Sequence, residues 1–218
     1  MELKALEPSS VAVSAASAAL YELKVRGRAT VVMPRRTGLR QVAVEVQKLL
    51  GGGLTVVLVP RASDCVATLS QMARLSGVEV ACIVTERRQG WKEAYTSGSY
   101  LEDHGLRVMY NVSQVLEFLF ENEQEKASEK VIFCARGGYP LLRSALRQRN
   151  QQVDLLICEF LLRTTMNQRA ASSFEDIFDD DYIPCRHRLF LSSSTAVYQL
   201  HNKRPKHSIM SATALRTP

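Results

Sequence analysis

The residues whose types and spacing could do chemistry are Thr30-Val-Val-Met-Pro-Arg-Arg-Thr-Gly-Leu-Arg40. An apolar run breaks at Pro34, turns through Gly38 and enters the polar–apolar rhythm of a helix. A strand–loop–helix of this kind can cradle phosphate: glycines let backbone N–H groups approach the oxygens, a lysine neutralises the β and γ phosphates, and a Ser/Thr hydroxyl holds magnesium. Gly38 is present, but Leu39 and Arg40 stand where that chemistry needs lysine and hydroxyl. Arg35, Arg36 and Arg40 leave two readings, an anion site of another kind at a helix N-terminus or arginines on a solvated loop. Asp179-Asp-Asp181 has the acidity of a metal site but no ordered partner ligands, so it reads as a solvated cap. His187, between Arg186 and Arg188, and His201 read as surface residues. Trp91 lies beside Arg87, Arg88 and Lys92, which fits a stack on a base or an interface or core anchor.

The elements that must position these residues belong to a chain of 218 residues, 46% apolar and 23% charged, enough for one sizeable core. Lys and Arg number 28 against 22 acidic residues, a net charge of +6 that suits either a polyanionic neighbour or plain solubility. Cys65, Cys82, Cys134, Cys158 and Cys185 are odd in number, and most sit in apolar runs. They read as buried free thiols in a reducing intracellular compartment, not as a disulfide frame or a zinc site. No apolar run approaches the ~18 residues that span a bilayer. Glu2, Glu7 and Glu22 with one early lysine give no presequence signature, and a presequence already removed stays open.

Helix formers over 11–24, after Pro8-Ser9-Ser10, predict a first helix, and Ala29–Met33 a buried strand. Gln41–Leu50 puts Val42, Val46, Leu49 and Leu50 on one helical face, and Gly51-Gly-Gly53 ends it. Leu54–Pro60 is a second strand, 63–75 a helix and Val78–Val84 a third strand. Residues 86–130 are the least regular, with a short strand at Arg107–Tyr110, a helix over Val112–Phe120 and an acidic-rich run at 121–130 that reads as a solvated helix end or loop. Val131–Ala135 is a strand, Gly137-Gly-Tyr-Pro140 its exit loop and Leu141–Arg149 a basic helix. Val153–Cys158 and Arg188–Ser192 complete the strands. Such alternation with short glycine-marked joins predicts parallel βαβ units in a doubly wound sheet.

Four blocks in order then carry a resemblance: Arg28-Ala-Thr-Val-Val-Met-Pro, Leu54-Thr-Val-Val-Leu-Val-Pro, Asp154-Leu-Leu-Ile-Cys-Glu-Phe-Leu-Leu-Arg-Thr-Thr165 and Arg188-Leu-Phe-Leu-Ser-Ser-Ser-Thr195. With the intervening 172–183 stretch, they resemble the first RecA-like domain of superfamily 2 helicases, of the DEAD/DEAH type related to restriction-enzyme translocases, over residues 6–198. The resemblance implies an α/β, doubly wound, mainly parallel sheet: a RecA-like P-loop NTPase fold with degenerate motifs, as one domain over 1–200 with a basic tail over 201–218. Against the family's Met-Pro-Thr-Gly-x-Gly-Lys-Thr, Pro34 and Gly38 are kept, Arg36 replaces a glycine, Leu39 the lysine and Arg40 the magnesium-binding hydroxyl. Against Asp-Glu-Ala-His stands Glu159-Phe-Leu-Leu162. Glu159 keeps a carboxylate that could reach a metal, Phe160 replaces the glutamate that polarises water, and Leu162 the histidine. Ser192-Ser-Ser-Thr195 stands for Thr-Ala-Thr-Pro, and Pro8-Ser-Ser10 lacks the amide of Pro-x-Gln.

Four altered motifs point to a catalytically inactive pseudo-enzyme, a structural or adaptor subunit of a larger assembly such as a ribosome or its assembly complex. It would need no cofactor and no membrane insertion, and its partners would be other protein subunits, with RNA a further candidate. The compartment is cytoplasm or an organelle matrix, mitochondrion or plastid. Arg35, Arg36, Arg143, Arg147, Arg186, Arg188, Lys203, Arg204 and Lys206 are the candidate nucleic-acid contacts. The alternatives are an ATP- and magnesium-dependent helicase or ATPase fragment completed by a partner chain, and a protein–protein adaptor without nucleic acid.

Overall fold

The computed structural model describes residues 9–34, 37–51, 53–59, 78–84, 101–102, 106–121, 129–160 and 182–193. Helix α1 (Ser10–Arg26) begins at Ser9, whose hydroxyl accepts the Ala12 N–H at 3.2 Å, and ends at Gly27, whose left-handed backbone lets its N–H reach the Leu23 carbonyl. Lys24 and Arg26 in the last turn suit the negative end of the helix dipole. Ala12, Ala16 and Ala19 line its buried side, and such small residues let the helix lie close on its neighbours. Strand β1 (Arg28–Val32) and helix α2 (Leu39–Leu50) follow.

Strands β2 (Leu54–Val59), β3 (Val78–Ile83), β4 (Arg107–Met109), β5 (Glu129–Ala135), β6 (Val153–Phe160) and β7 (Cys185–Ser192) complete a seven-stranded sheet in the order β1-β7-β6-β2-β5-β3-β4. Every pairing is parallel. The central β2 is buried along its whole length, as expected of a strand covered on both faces. The step from β1 to β2 crosses the sheet in one direction, and the steps from β4 to β5 and β5 to β6 return. Right-handed crossovers therefore put α2 on one face and helices α3 (Val112–Phe120) and α4 (Tyr139–Arg149) on the other. Two cores result. Val31, Ile157 and Leu191 pack with α1 and α2, whereas Val56, Leu156 and Phe190 pack with Phe118, Leu142 and Leu146. Fully buried Phe133 and Leu142 each contribute roughly 2–3 kcal/mol of apolar burial.

The doubly wound α/β sheet expected from the sequence is present, with several local corrections. Leu49 is 49% exposed and Gln47 takes the inward position, because the buried stripe of α2 is centred nearer Val46 and Ala43. Glu129 and Lys130 are the first residues of β5, not a solvated loop. Their backbones pair with Val78 and Leu54, while the Gln47 amide donates to Glu129 at 2.8 Å. Tyr139 and Pro140 belong to the start of α4, where proline's missing N–H has no helical partner to lose. Glu159 and Phe160 extend β6, and Cys185–His187 extend β7. The helix expected over 63–75, Trp91, Asp179–Asp181, His201 and the 201–218 tail lie outside the described residues. No helix among the described residues is long and apolar enough to cross a membrane.

Candidate functional site at the carboxyl ends of β1 and β6

In an open parallel sheet, ligands gather beyond the carboxyl ends of the strands. β1 ends beside β7, where the Met33 N–H donates to the Ser192 carbonyl at 3.0 Å. The chain then passes exposed Pro34, whose carbonyl accepts the Thr37 hydroxyl at 2.6 Å. Gly38 has φ +96°, a region that costs any other residue steric strain, and it turns the chain into α2. A Cβ there would lie 2.6 Å from Gln41 Oε1 and 3.3 Å from both Ala12 Cβ and Ser9 Oγ. Gln41 Oε1 accepts the Ser9 N–H at 3.2 Å, so the start of α1 is fastened directly to the start of α2. Leu39, at the lysine position of the motif, packs against the α1/α2 core.

Arg40 Nε donates to Glu159 Oε1 at 3.1 Å across 119 residues of sequence. The topology explains the meeting. β7 lies between β1 and β6, so the two strand ends are about two strand spacings, ~9.5 Å, apart. The crossover from β1 to β2 carries α2 over β7 and β6. Leu155 and Ile157 face the α1/α2 core, and the two-residue period puts Glu159 on that same face, under the first turn of α2. Only 6% of the Glu159 side chain is exposed, against 35% of Arg40. An isolated buried carboxylate is costly to desolvate, and the guanidinium offsets that cost in a medium less polar than water. In turn the carboxylate offsets the repulsion between Arg40 and the positive end of α2. In the sequence, Glu159 reads as a retained carboxylate and Arg40 as a replaced hydroxyl or a loop arginine, with nothing joining the two. Opposite charges at two positions that converge in one fold were the available signal.

Other expected site residues are not gathered here. Arg188, expected at the surface, is 1% exposed: its Nη2 donates to the Ile183 carbonyl at 2.9 Å and its Nε to Cys185 Sγ at 3.2 Å. A side chain so enclosed offers no contact to phosphate. His187 is half-buried, with Nδ1 3.1 Å from the Leu23 carbonyl, in place of the expected surface position. Arg143 is half-buried and lies over the Tyr182 ring, 4.7 Å from its centroid. Arg147 and Arg186 are exposed, the latter 3.8 Å from Asp154. Phe160 is the last residue of β6, in register with Ser192. Arg35, Arg36, Leu162, Lys203, Arg204 and Lys206 lie outside the described residues.

Lys130 is a role the sequence did not reveal. Its ammonium donates to the carbonyls of Phe118, Leu119 and Glu121, closing the C-terminus of α3, and lies 5.4 Å from the Phe118 centroid. Burial lowers its pKa, while Glu79 and Glu121 act to raise it. Cys82, Cys134 and Cys158 are buried free thiols, as expected. Burial pushes the Cys158 thiol far up, with Arg188 pulling the other way. No group of three or more His, Cys, Asp or Glu among the described residues could hold a metal ion.

No protein-family model matches the chain, and no curated protein matches it in sequence. Solved structures do. One is a nuclease-deletion mutant of the Type ISP restriction-modification enzyme LlaGI in complex with a DNA substrate mimic, at TM-score 0.68 and 16% identity over 87% of this chain and 18% of that one. Another is the ATP-dependent Type ISP restriction-modification enzyme LlaBIII bound to DNA, at TM-score 0.69 and 18% identity over 86% of this chain and 13% of that one. The expected likeness to a restriction-translocase helicase domain is thus borne out as a likeness of fold. This chain has the RecA-like α/β fold and spans less than a fifth of either enzyme chain.

Proposed function

We propose that this chain is a helicase-type RecA-like domain that does not hydrolyse nucleotide and acts as a structural or adaptor part of a larger assembly. The observation that carries the proposal is the Arg40–Glu159 pair. The residues at the strand ends do not fit magnesium-bound nucleotide. The carboxylate that could take the ion already holds a guanidinium, Leu39 packs against the core where an ammonium would meet phosphate, and no hydroxyl occupies position 40. Turnover of ATP in magnesium tests this reading. The expected rate is indistinguishable from buffer, and a rate abolished by Glu159→Gln would overturn it.

A ribonucleoprotein, such as a ribosome or its assembly complex, is the assembly we propose, supported by the +6 charge and the exposed Arg147 and Arg186. Filter binding to RNA over a salt series should show affinity falling as salt rises, because phosphate contacts release counterions. Affinity independent of salt would leave a protein-only adaptor.

A second reading has one specific observation in its favour. LlaBIII is described as ATP-dependent and bound to DNA, and this chain covers 13% of it, so a partner chain could complete an active enzyme. That reading predicts ATP turnover on addition of the partner.

A further inference from the structure

We infer that Arg40 is a tethered cation standing in for the divalent ion at the carboxyl end of β6, so that the first turn of α2 is held to that strand without metal or nucleotide. The inference rests on the reading of the domain as a non-hydrolysing scaffold and says how that scaffold is held together. In a phosphate-loop site, the residue at position 40 and the acid at position 159 would both reach the same magnesium ion, one by hydroxyl and one by carboxylate. Here they reach each other, at 3.1 Å. A guanidinium placed there neutralises the carboxylate, of which 6% is exposed, and repels an incoming cation. Magnesium must be recruited from solution and gives up its water reluctantly, whereas Arg40 is attached to the chain and present at every moment.

The mechanical consequence follows from the topology. A bound nucleotide and ion fasten a phosphate loop to the acid strand only while they are present. Arg40 fastens the first turn of α2 to β6 with no ligand between them, and Gln41, the next residue, fastens the same turn to Ser9 at the start of α1. Adjacent residues of one helix turn thus join α1, α2 and the end of β6 into one unit.

The test compares thermal melts of wild type, Arg40→Ala, Glu159→Gln and the double variant, each in chelator and in millimolar magnesium without nucleotide. Wild type should melt at the same temperature in both. Arg40→Ala should melt lower in chelator by on the order of 5 °C, since a buried carboxylate loses its guanidinium partner. Magnesium should recover part of that loss, and the recovery should be absent from the double variant. Magnesium stabilisation of wild type that disappears in Glu159→Gln overturns the inference, and so does an Arg40→Ala protein that melts like wild type. Should Arg40→Ala fail to fold, wild type against Glu159→Gln still decides. A separate arm adds ATP to wild type: stabilisation by ATP contradicts the scaffold reading, whereas stabilisation by magnesium alone contradicts the role given to Arg40.

Discussion

The two faces of the sheet differ in what their cations meet. On the α1/α2 face, cations meet carboxylates: Arg40 pairs with Glu159 at the strand ends and Lys48 with Glu45 along α2. On the α3/α4 face, cations lie over aromatic rings as well as beside carboxylates, Arg107 pairing with both Glu117 and Glu121. Arg107 and Lys130 approach Phe118, Arg143 covers Tyr182, Arg149 covers Phe120 at 3.9 Å, and Arg188 is buried outright. Every cation–π contact among the described residues falls on this second face. Part of the basic charge is therefore structural, and net charge by itself overstates the surface available to a polyanion. The α1/α2 face holds the Arg40–Glu159 pair at the strand ends, and the α3/α4 face holds the ring contacts of the basic helix.

The sharpest way to break this comparison is Arg188→Ala. If the guanidinium is interior structure, its loss leaves the Ile183 carbonyl without that donor and opens a cavity, a cost of about 3–4 kcal/mol in urea denaturation. A surface arginine such as Arg147 should cost within about 0.5 kcal/mol when changed to Ala. Equal small losses at both positions would erase the distinction between the faces.

On the other face, Gly38→Ala should cost about 1–2 kcal/mol, from positive φ and a Cβ crowding Gln41 and Ala12. Unchanged stability would mean that the loop readily adopts another path.

Cys158 sharpens the picture of the α3/α4 face through pH. Its folded pKa is raised above the ordinary 9.0, so its contribution is fully present below pH 9 and is lost as pH rises further, because only the unfolded chain ionises. The expected slope is ~1.4 kcal/mol per pH unit above that point, and Cys158→Ala should remove it from denaturation curves taken between pH 8 and 10. The smallest effect belongs to the exposed stack. A double-mutant cycle of Arg149→Ala and Phe120→Ala should give a coupling of about 0.5–1 kcal/mol.

Much of this was legible in the sequence because parallel strands buried on both faces write themselves as apolar runs. Leu54–Val59 and Val112–Phe120 fall where hydrophobic period alone puts them. Boundaries drifted where a charged residue continues a strand, as Glu129, Lys130 and Glu159 do, since composition marks such residues as solvated. Arg188 was misread for the same reason: charge type argues for the surface, and only tertiary placement supplies the carbonyl that holds it inside. The strand-to-helix turn after Val32 is legible in the sequence, but the partner of Arg40 is not. A pair 119 positions apart exists only once β7 and β6 are set beside β1.

The proposed scaffold has the RecA-like fold but would bind no nucleotide at the carboxyl ends of β1 and β6. Calorimetric titration of wild type with ATP in magnesium tests it most directly. The account predicts no saturable heat, and saturable binding with Kd at or below about 100 μM, a free energy near −5.5 kcal/mol, would contradict it.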